Sequence, residues 1–526
     1  MKLRPIVIVL CLALIALPQP PASPAASGPV AERPDSKTLK AILAEFETYA
    51  KKSMAEWKVP GMAIAIVRDK DVIYEKPFGV KTLGSKDPVT IDTVFQIGST
   101  SKAFTAALVG MLVDEGKLGW DDPVVNHLDG FMMYDPWVTR QFTVTDLMAQ
   151  RSGMSAHAGD TAATLGFDRA HIIDTIRFVR PVTSFRSAYA YQNNLFLVAA
   201  ELIRKKTGKS WEDNIKERIF VPLGMKSSST DAASFKDGRD AASLHHLIGD
   251  KIVTLPMDWK YMDWVYTYAP AGGINSNVKD VAKWVSLQMN GGSFGAKQLI
   301  KPDSIRYMQT PKTIIPSGSG APRQYYCQGW VYREYDPYPI IWHNGGTSGA
   351  KTMIAFVPEA KIGIVVLSNL DETSSPESLA WRFFDSYFGR PGRDWSREAL
   401  KKALKDREEE KAGLPKPPAK VSPALPAERY TGDYYNDVYG TITVSRKDGS
   451  LAVTMGPKKT RAALTHFDRD IFVLSWNIYI EPEDGGPVRF DIGPDGFAGS
   501  LTIEAFDSGG CGRFSKVAVK GKEQGK

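Results

Sequence analysis

The sequence predicts an α+β protein that carries a small antiparallel β-barrel at its C-terminal end. Three observations lead there. Strand-like segments stand at both ends of residues 40–390 with helical periodicities between them, the composition turns charged and then proline-rich just after Arg390, and short alternating strands recur beyond the prolines. With 526 residues the chain is too long for one compact core.

The elements follow in order. Residues 1–27 read as a secretory signal peptide: Lys2 and Arg4 precede the apolar run Ile6 to Leu17, and the small residues Ala22 to Ser27 follow it. That run is too short to span a bilayer, which takes about 20 residues. Cys11 lies inside it behind Leu10, where a lipid-accepting cysteine would want a small neighbour, so lipid anchoring is the weaker alternative. Residues 28–392 form the main domain. Leu39 to Met54 has helical spacing, Gly61 to Val67 reads as a buried strand, and Val72 to Tyr74 follows a turn at Asp69 to Asp71. Phe104, Leu108, Leu112 and Val113 mark a helix over Thr100 to Gly116, with Gly116 at its C-terminal end. Further helices are expected at Asn194 to Gly208 and Val278 to Met289, and late strands at Thr352 to Phe356 and Ile362 to Leu367. First and last strands are expected to share one sheet.

Residues 393–426 form a linker: a charged helix, Trp395 to Lys411, read as a solvated face, then an extended stretch from Pro415 to Pro426. It is expected to separate two cores. Residues 427–520 form the barrel, with strands at Gly440 to Ser445, Leu451 to Val453, Ile471 to Leu474, Val488 to Ile492 and Leu501 to Ile503. Turns are expected at Lys447 to Gly449, Gly485-Gly486 and Pro494 to Gly496.

Composition excludes several classes. Apolar residues make up 43% and charged residues 24%, which removes collagen-like, coiled-coil and disordered readings. The formal charge is +7, two of it from Lys2 and Arg4, too little to argue for nucleic acid as a partner. No stable membrane span is expected once the signal is cleaved. Cys327 and Cys511 make one pair at most, so the fold has no disulfide framework, though a bridge between the two regions is open.

Ser99-Thr100-Ser101-Lys102 opens the first core helix, putting Lys102 one turn beyond Ser99 on the same face. A serine hydroxyl needs a neighbour to take its proton, and an amine can do so when burial or nearby cations lower its pKa. Ser276-Asn277-Val278-Lys279 and Ser348-Gly349-Ala350-Lys351 share the spacing and read as a helix cap and a strand-opening turn. Order along the chain separates them. Ser99 and Lys102 are followed by Tyr191-Gln192-Asn193 and then by His343-Asn344-Gly345-Gly346 before the late strands.

With those motifs the chain resembles the serine β-lactamase and penicillin-binding-protein-like hydrolases. Val59-Pro60-Gly61, Phe95 to Gly98, Gly116-Lys117-Leu118, Asp121-Asp122-Pro123, Thr145-Asp146-Leu147 with Ser152-Gly153, and Pro270 to Gly273 before Asp280 are similar too. The resemblance covers about residues 40–390. It implies a β-lactamase-like fold, an antiparallel sheet flanked by helices plus a helical region, and catalysis by Ser99, Lys102, Tyr191 and His343. Tyr191 would be general base or proton relay for Ser99, and Asn193 would bind an amide of the acyl group. Gly345 would let the strand backbone approach the substrate, and the N–H groups of Ser99 and Gly346 would form the oxyanion hole.

Two departures mark this chain. His343 stands where many relatives have lysine, and imidazole is charged only part of the time near neutral pH, which resembles the D-aminopeptidase, D-stereospecific peptidase and esterase branch. Gln150-Arg151-Ser152-Gly153 replaces a His-Thr-Ser-Gly and is expected to affect loop packing. The implied activity is an exported, secreted or periplasmic serine hydrolase of amides or esters, of the D-amino-acid peptidase or esterase type, acting on a small molecule or peptide without metal or organic cofactor. The alternatives are a β-lactamase or D-Ala-D-Ala carboxypeptidase, and a catalytically silent penicillin-binding sensor or scaffold. The C-terminal region resembles a lipocalin-like barrel with three open roles: shielding the cleft, selecting substrates or mediating assembly, homo-oligomers included.

Weaker candidates have plainer readings. Gly291 to Gly295 is similar to a nucleophile elbow around Ser293, but a helix precedes it where that motif needs a strand. His245-His246 lacks partners at zinc spacing and reads as loop or surface. Cys327 reads as buried beside Tyr325 and Trp330, and Tyr434-Tyr435-Asn436 as strand packing.

Overall fold

The structure, a computed structural model, describes residues 33–518 except 239, 319, 414–415, 448 and 477–482. The signal peptide expected at residues 1–27 lies outside the described residues, as does the centre of the turn expected at Lys447 to Gly449. The first two strands, β1 (Gly61–Arg68) and β2 (Asp71–Gly79), form a hairpin whose turn residue Asp69 takes φ 59°. Six more join them: β3 (Thr313–Ile315), β4 (Gln324–Tyr326), β5 (Val331–Arg333), β6 (Ile340–Thr347), β7 (Ala350–Val357) and β8 (Ile362–Ser368). The order is β2-β1-β8-β7-β6-β5-β4-β3, so first and last strands are neighbours, with Ala65 opposite Val365. This central place explains the unbroken apolar run of β1, because both its faces are covered.

One face packs under α1 (Ser36–Glu56) and a late helix, Ser375–Tyr387, where Ile64 and Ile66 join Phe46 and Phe383. The other face, with Ala63, Ala65 and Val67, meets the larger core of the helical region. There, α2 (Lys102–Asp114) is buried on all sides from Lys102 to Leu112, and Gly116 leaves the helix with φ 70°. Around it lie α3 (Asn194–Thr207), closed by left-handed Gly208, and α4 (Val278–Met289), capped by the Asn277 side chain. Gly208 ends the stretch expected to be helical, whereas the cap of α4 is Asn277, the second residue of the tetrapeptide from Ser276 expected to cap it. The helix expected from Thr100 differs at its start, since Gly98–Ser101 is a tighter 3₁₀ turn that runs into α2.

Eight strands close a barrel: β9 (Gly432–Asn436), β10 (Gly440–Lys447), β11 (Ser450–Met455), β12 (Thr460–Asp468), β13 (Ile471–Trp476), β14 (Glu483–Ile492), β15 (Ala498–Ile503) and β16 (Arg513–Lys516). Each pairs antiparallel with the next, and β9 closes on β16 at Tyr434 and Lys516. Tyr430, Tyr434, Phe472 and Phe490 fill its interior. Gly485-Gly486, expected as a turn, instead lies within β14. The pairing places Val473 against Pro487 and Ser475 against Asp484, so two glycines oppose Leu474 in a bulge, and Gly486 takes φ 76° there.

Two further expectations are corrected. The Pro-rich stretch separates two sheets but not two cores, because Val438, Tyr439 and Phe506 belong to the same buried cluster as Ala158, Ala162 and Leu165. His245 and His246 are not surface residues: both are buried on the hairpin Leu244–Ile248 and Lys251–Leu255. Cys327 and Cys511 are buried and unbonded, so no bridge joins the regions, and burial pushes the Cys327 thiol up to about 12.

Candidate active site

The turn that presents Ser99 is fastened before any side chain acts. Ile97 N–H bonds to Ile274 O at 2.9 Å, and Thr100 Oγ1 and Thr352 Oγ1 both donate to Ile97 O at 2.8 Å. Gly98 takes φ 54°, and a Cβ placed on it would lie 2.6 Å from Gly346 N, so the turn and β6 touch backbone to backbone. Ser99 is the half-buried residue of this clamp, flanked by buried Gly98 and Thr100.

Lys102 is buried, and its Nζ sits 3.1 Å from Ser99 Oγ, 2.7 Å from Asn193 Oδ1 and 2.9 Å from Ala271 O. Loss of water lowers its pKa to about 7, although Asp160 pulls it upward. The partners decide what the neutral amine can do. Ala271 O only accepts. Asn193 is oriented by Asp160, whose Oδ2 takes the Asn193 Nδ2–H at 2.6 Å, so Oδ1 must face Lys102. A neutral Lys102 therefore directs its two N–H bonds to those acceptors and its lone pair to Ser99.

Tyr191 shares the cavity wall with Ser99, and its ring centroid lies 4.7 Å from Lys102 Nζ. Burial raises its pKa well above the ordinary phenol value, so the hydroxyl stays protonated at neutral pH. Gln150 holds the loop that carries it: Oε1 accepts from Gln192 N at 2.6 Å, Nε2 donates to Gln192 O at 3.1 Å, and Ala190 N–H bonds to Gln150 O. The altered Gln150 thus acts on loop packing, as expected of it.

His343 departs from expectation. It is buried, and its pKa falls to about 3 because water is excluded and Lys102 is near, so it is neutral throughout the physiological range rather than partly charged. Its Nδ1 is 2.6 Å from Asn344 O, a pure acceptor, so Nδ1 carries the proton and Nε2 accepts from Tyr326 Oη at 3.1 Å. Gly345 also differs: a Cβ there would meet Ile97 O at 2.0 Å and Thr352 Oγ1 at 2.4 Å. Its missing side chain lets β6 approach the serine turn, not the substrate. Gly346 is the exposed one.

A cavity of about 330 Å³ brings Ser99, Tyr191, Asn193 and Gly346 together with Asp160, His157, Ser348, Trp259, Trp264 and Tyr268. Lys102, His343 and Gly345 stand behind these residues rather than on its wall. Among the described residues that line it there is no lysine or arginine, and Asp160 is the one carboxylate. A larger cavity, about 650 Å³, lies by Phe131, Ile173 and Trp211, but its charges are internally paired as Arg169–Glu212, Arg177–Asp174 and Arg204–Glu201. Sequence reading missed Asp160 and Tyr326. Asp160 lies 33 residues before Asn193 in an irregular segment, with no local pattern to mark it.

The barrel rests on the segments that build this cavity. His171 Nε2 bonds to Val438 O at 2.8 Å, and Ser508 Oγ donates to Ala156 O. On the other wall Tyr261 Oη meets Thr460 Oγ1 at 3.3 Å, and Lys260 and Lys458 each donate to the other's carbonyl.

Comparison with known proteins follows the same division. Residues 46–385 match the Beta-lactamase family, and residues 416–524 match a domain of unknown function, DUF3471. The unguisins hydrolase ungD' of Aspergillus campestris is 28% identical over 86% of this chain and 87% of its own length. Penicillin-binding protein 4 of Amycolatopsis lactamdurans is 27% identical over 60% of this chain and 82% of its own. The octameric penicillin-binding protein homologue from Pyrococcus abyssi superposes with a TM-score of 0.58 at 22% identity, covering 90% of this chain and 100% of that one, a likeness of fold.

Proposed function

The chain belongs to the Beta-lactamase family of serine hydrolases, and on that premise we propose that it cleaves amides or esters through an acyl-enzyme, as a D-amino-acid peptidase or esterase-type enzyme. Ser99 Oγ attacks the carbonyl carbon while its proton passes to neutral Lys102, with the protonated Tyr191 hydroxyl as relay. The N–H groups of Ser99 and Gly346 hold the developing oxyanion. The carbon–nitrogen or carbon–oxygen bond then breaks, the leaving group takes the relayed proton, and water later releases the acyl group by the same path in reverse. Every group in this sequence comes from the chain itself, so it calls for no metal or organic cofactor.

The observation that carries the choice is the charge of the cavity. A penicillin or a peptide C-terminus presents a carboxylate, and a lysine beginning the third motif would hold it with a fixed charge. Here that position is a buried neutral His343, and the lining residues offer a carboxylate and no permanent cation. A neutral or cationic substrate meets no such mismatch. Relatives named as unguisins hydrolases support a hydrolytic reading over a silent scaffold. Export of the mature chain, on the strength of residues 1–27, and self-assembly, in view of the octameric homologue, belong to the same proposal.

The test is kcat/KM for a short ester, a D-aminoacyl amide and a penicillin, with Ser99→Ala as control. The ester or the amide is expected to exceed the penicillin, with all turnover lost in Ser99→Ala. Penicillin as the fastest substrate would replace this reading with the β-lactamase one.

A further inference from the structure

The two histidines at 245 and 246 have no part in the proton path, yet they are buried against the far end of the strand that carries Gly346. Their hairpin touches the turn Ser348-Gly349 so closely that a Cβ on Gly349 would lie 2.5 Å from Leu244 Cβ. His245 N–H bonds to Gly349 O at 3.1 Å, and Asp371 N–H bonds to His245 O at 3.3 Å. The His245 ring fastens the hairpin from its other side, donating from Nδ1 to Asn369 O at 2.8 Å and accepting Leu83 N–H on Nε2 at 3.0 Å. Asp371 Oδ2 is shared: it accepts the Gly349 N–H at 2.9 Å and lies 2.6 Å from His246 Nδ1. Both side chains of that pair are only 11% exposed.

We propose that His246 and Asp371 are a positioning pair that holds the Ser348-Gly349 turn, and through it the Gly346 N–H, in register with Ser99. The inference rests on the acyl-enzyme reading above. Neither residue lines the cavity, so neither touches substrate. The turn they hold does line it: Ser348 is on the wall, where its Oγ accepts from Trp264 Nε1 at 3.1 Å, and Gly346 precedes it by two residues. Asp371 can accept the Gly349 N–H in one place only if its own carboxylate is fixed, and the short bond to His246 Nδ1 supplies that constraint. Oxyanion donors act within a few tenths of an ångström of their ideal reach, and a displacement near 1 Å costs about 10²-fold in rate. A metal role does not compete, because no group of three or more metal-ligating side chains gathers among the described residues.

The experiment uses the full chain and an ester that the native protein hydrolyses, with kcat, KM and Tm measured for His246→Ala, His246→Asn and Asp371→Asn. His246→Ala is expected to lower kcat by about 10- to 100-fold with KM changed by less than about threefold, since the lost alignment is felt in the transition state. His246→Asn, whose Nδ2 stands where Nδ1 was, is expected to recover most of that loss. Asp371→Asn, which keeps one oxygen for the three donors Gly349 N–H, His246 Nδ1 and Glu372 N–H, should fall between them. Where His246→Ala does not fold, the order native, His246→Asn, Asp371→Asn in kcat carries the same test. A kcat equal to native in His246→Ala, an Asn variant as slow as Ala, or a change confined to KM or Tm overturns the pair. Turnover that survives Ser99→Ala overturns the serine reading beneath it, so the two failures are told apart.

Discussion

The hydrolase region and the barrel bury opposite things. Behind Ser99 the interior holds an amine, an imidazole, a phenol and an amide, whereas the barrel interior is packed with Tyr430, Phe472 and Phe490, the polar ends satisfied by Asp470 Oδ1 at 2.7 Å and by backbone. Burial does different work in each. In the barrel it supplies packing; beside Ser99 it changes protonation states, lowering Lys102 to about 7 and His343 to about 3. The difference teaches that chemistry lies where polar groups are desolvated yet partnered, and that the barrel contributes by bracing the segments, 155–171 and 257–268, that carry half the cavity wall.

The sharpest way to break this comparison is at Ser99, the proposed nucleophile. Ser99→Ala is expected to abolish labelling by a serine-directed probe, and Lys102→Ala or Tyr191→Phe to lower acylation by about 10²- to 10⁴-fold. The double variant should fall little further, because the two act on one proton. Independent, multiplicative losses in acylation kinetics would mean the proton path is drawn wrongly.

Next in size is a pair of glycine substitutions. Gly345→Ala puts a methyl 2.0 Å from Ile97 O and must push β6 from the serine turn, so about a 10²-fold loss of kcat is expected. Gly499→Ala in the barrel meets nothing within 4 Å and should leave kcat at the native value. Equal effects at the two sites would erase the distinction between the regions.

The pH profile sharpens it further. Lys102 accepts a proton only when neutral, so kcat/KM should rise about tenfold per unit below its pKa near 7 and level off above it. His343, already neutral there, adds no inflection in that range. The midpoint should survive in His343→Gln; a midpoint that disappears with the imidazole would reassign the titration.

The smallest effect is expected at the seat of the barrel. His171→Phe removes its hydrogen bond to Val438 O at the seat of the barrel, a change of about 1 kcal/mol. KM should rise a few-fold while the rate of Ser99 labelling by a small probe is unchanged. A loss of labelling equal to that of Lys102→Ala would make the barrel part of the chemistry rather than its brace.

The sequence by itself determined what depends on near neighbours. Ser99 and Lys102 are three apart on consecutive turns, so their contact is local, and the helix extents from Asn194 and from Val278 and the apolar run of β1 were readable for the same reason. The motifs at Tyr191 and His343 were legible by resemblance, but their electrostatic state was not. Only the tertiary structure decided that His343 is neutral, because that follows from the exclusion of water by Tyr326 and Tyr191, which strand and loop packing bring to it. It also decided that Gly345 faces Ile97, 248 residues earlier, that Asp160 turns the Asn193 amide, and that His246 meets Asp371 across 125 residues. Desolvation and long-range hydrogen bonds are properties of surroundings, and the surroundings of a buried group are assembled from distant parts of the chain.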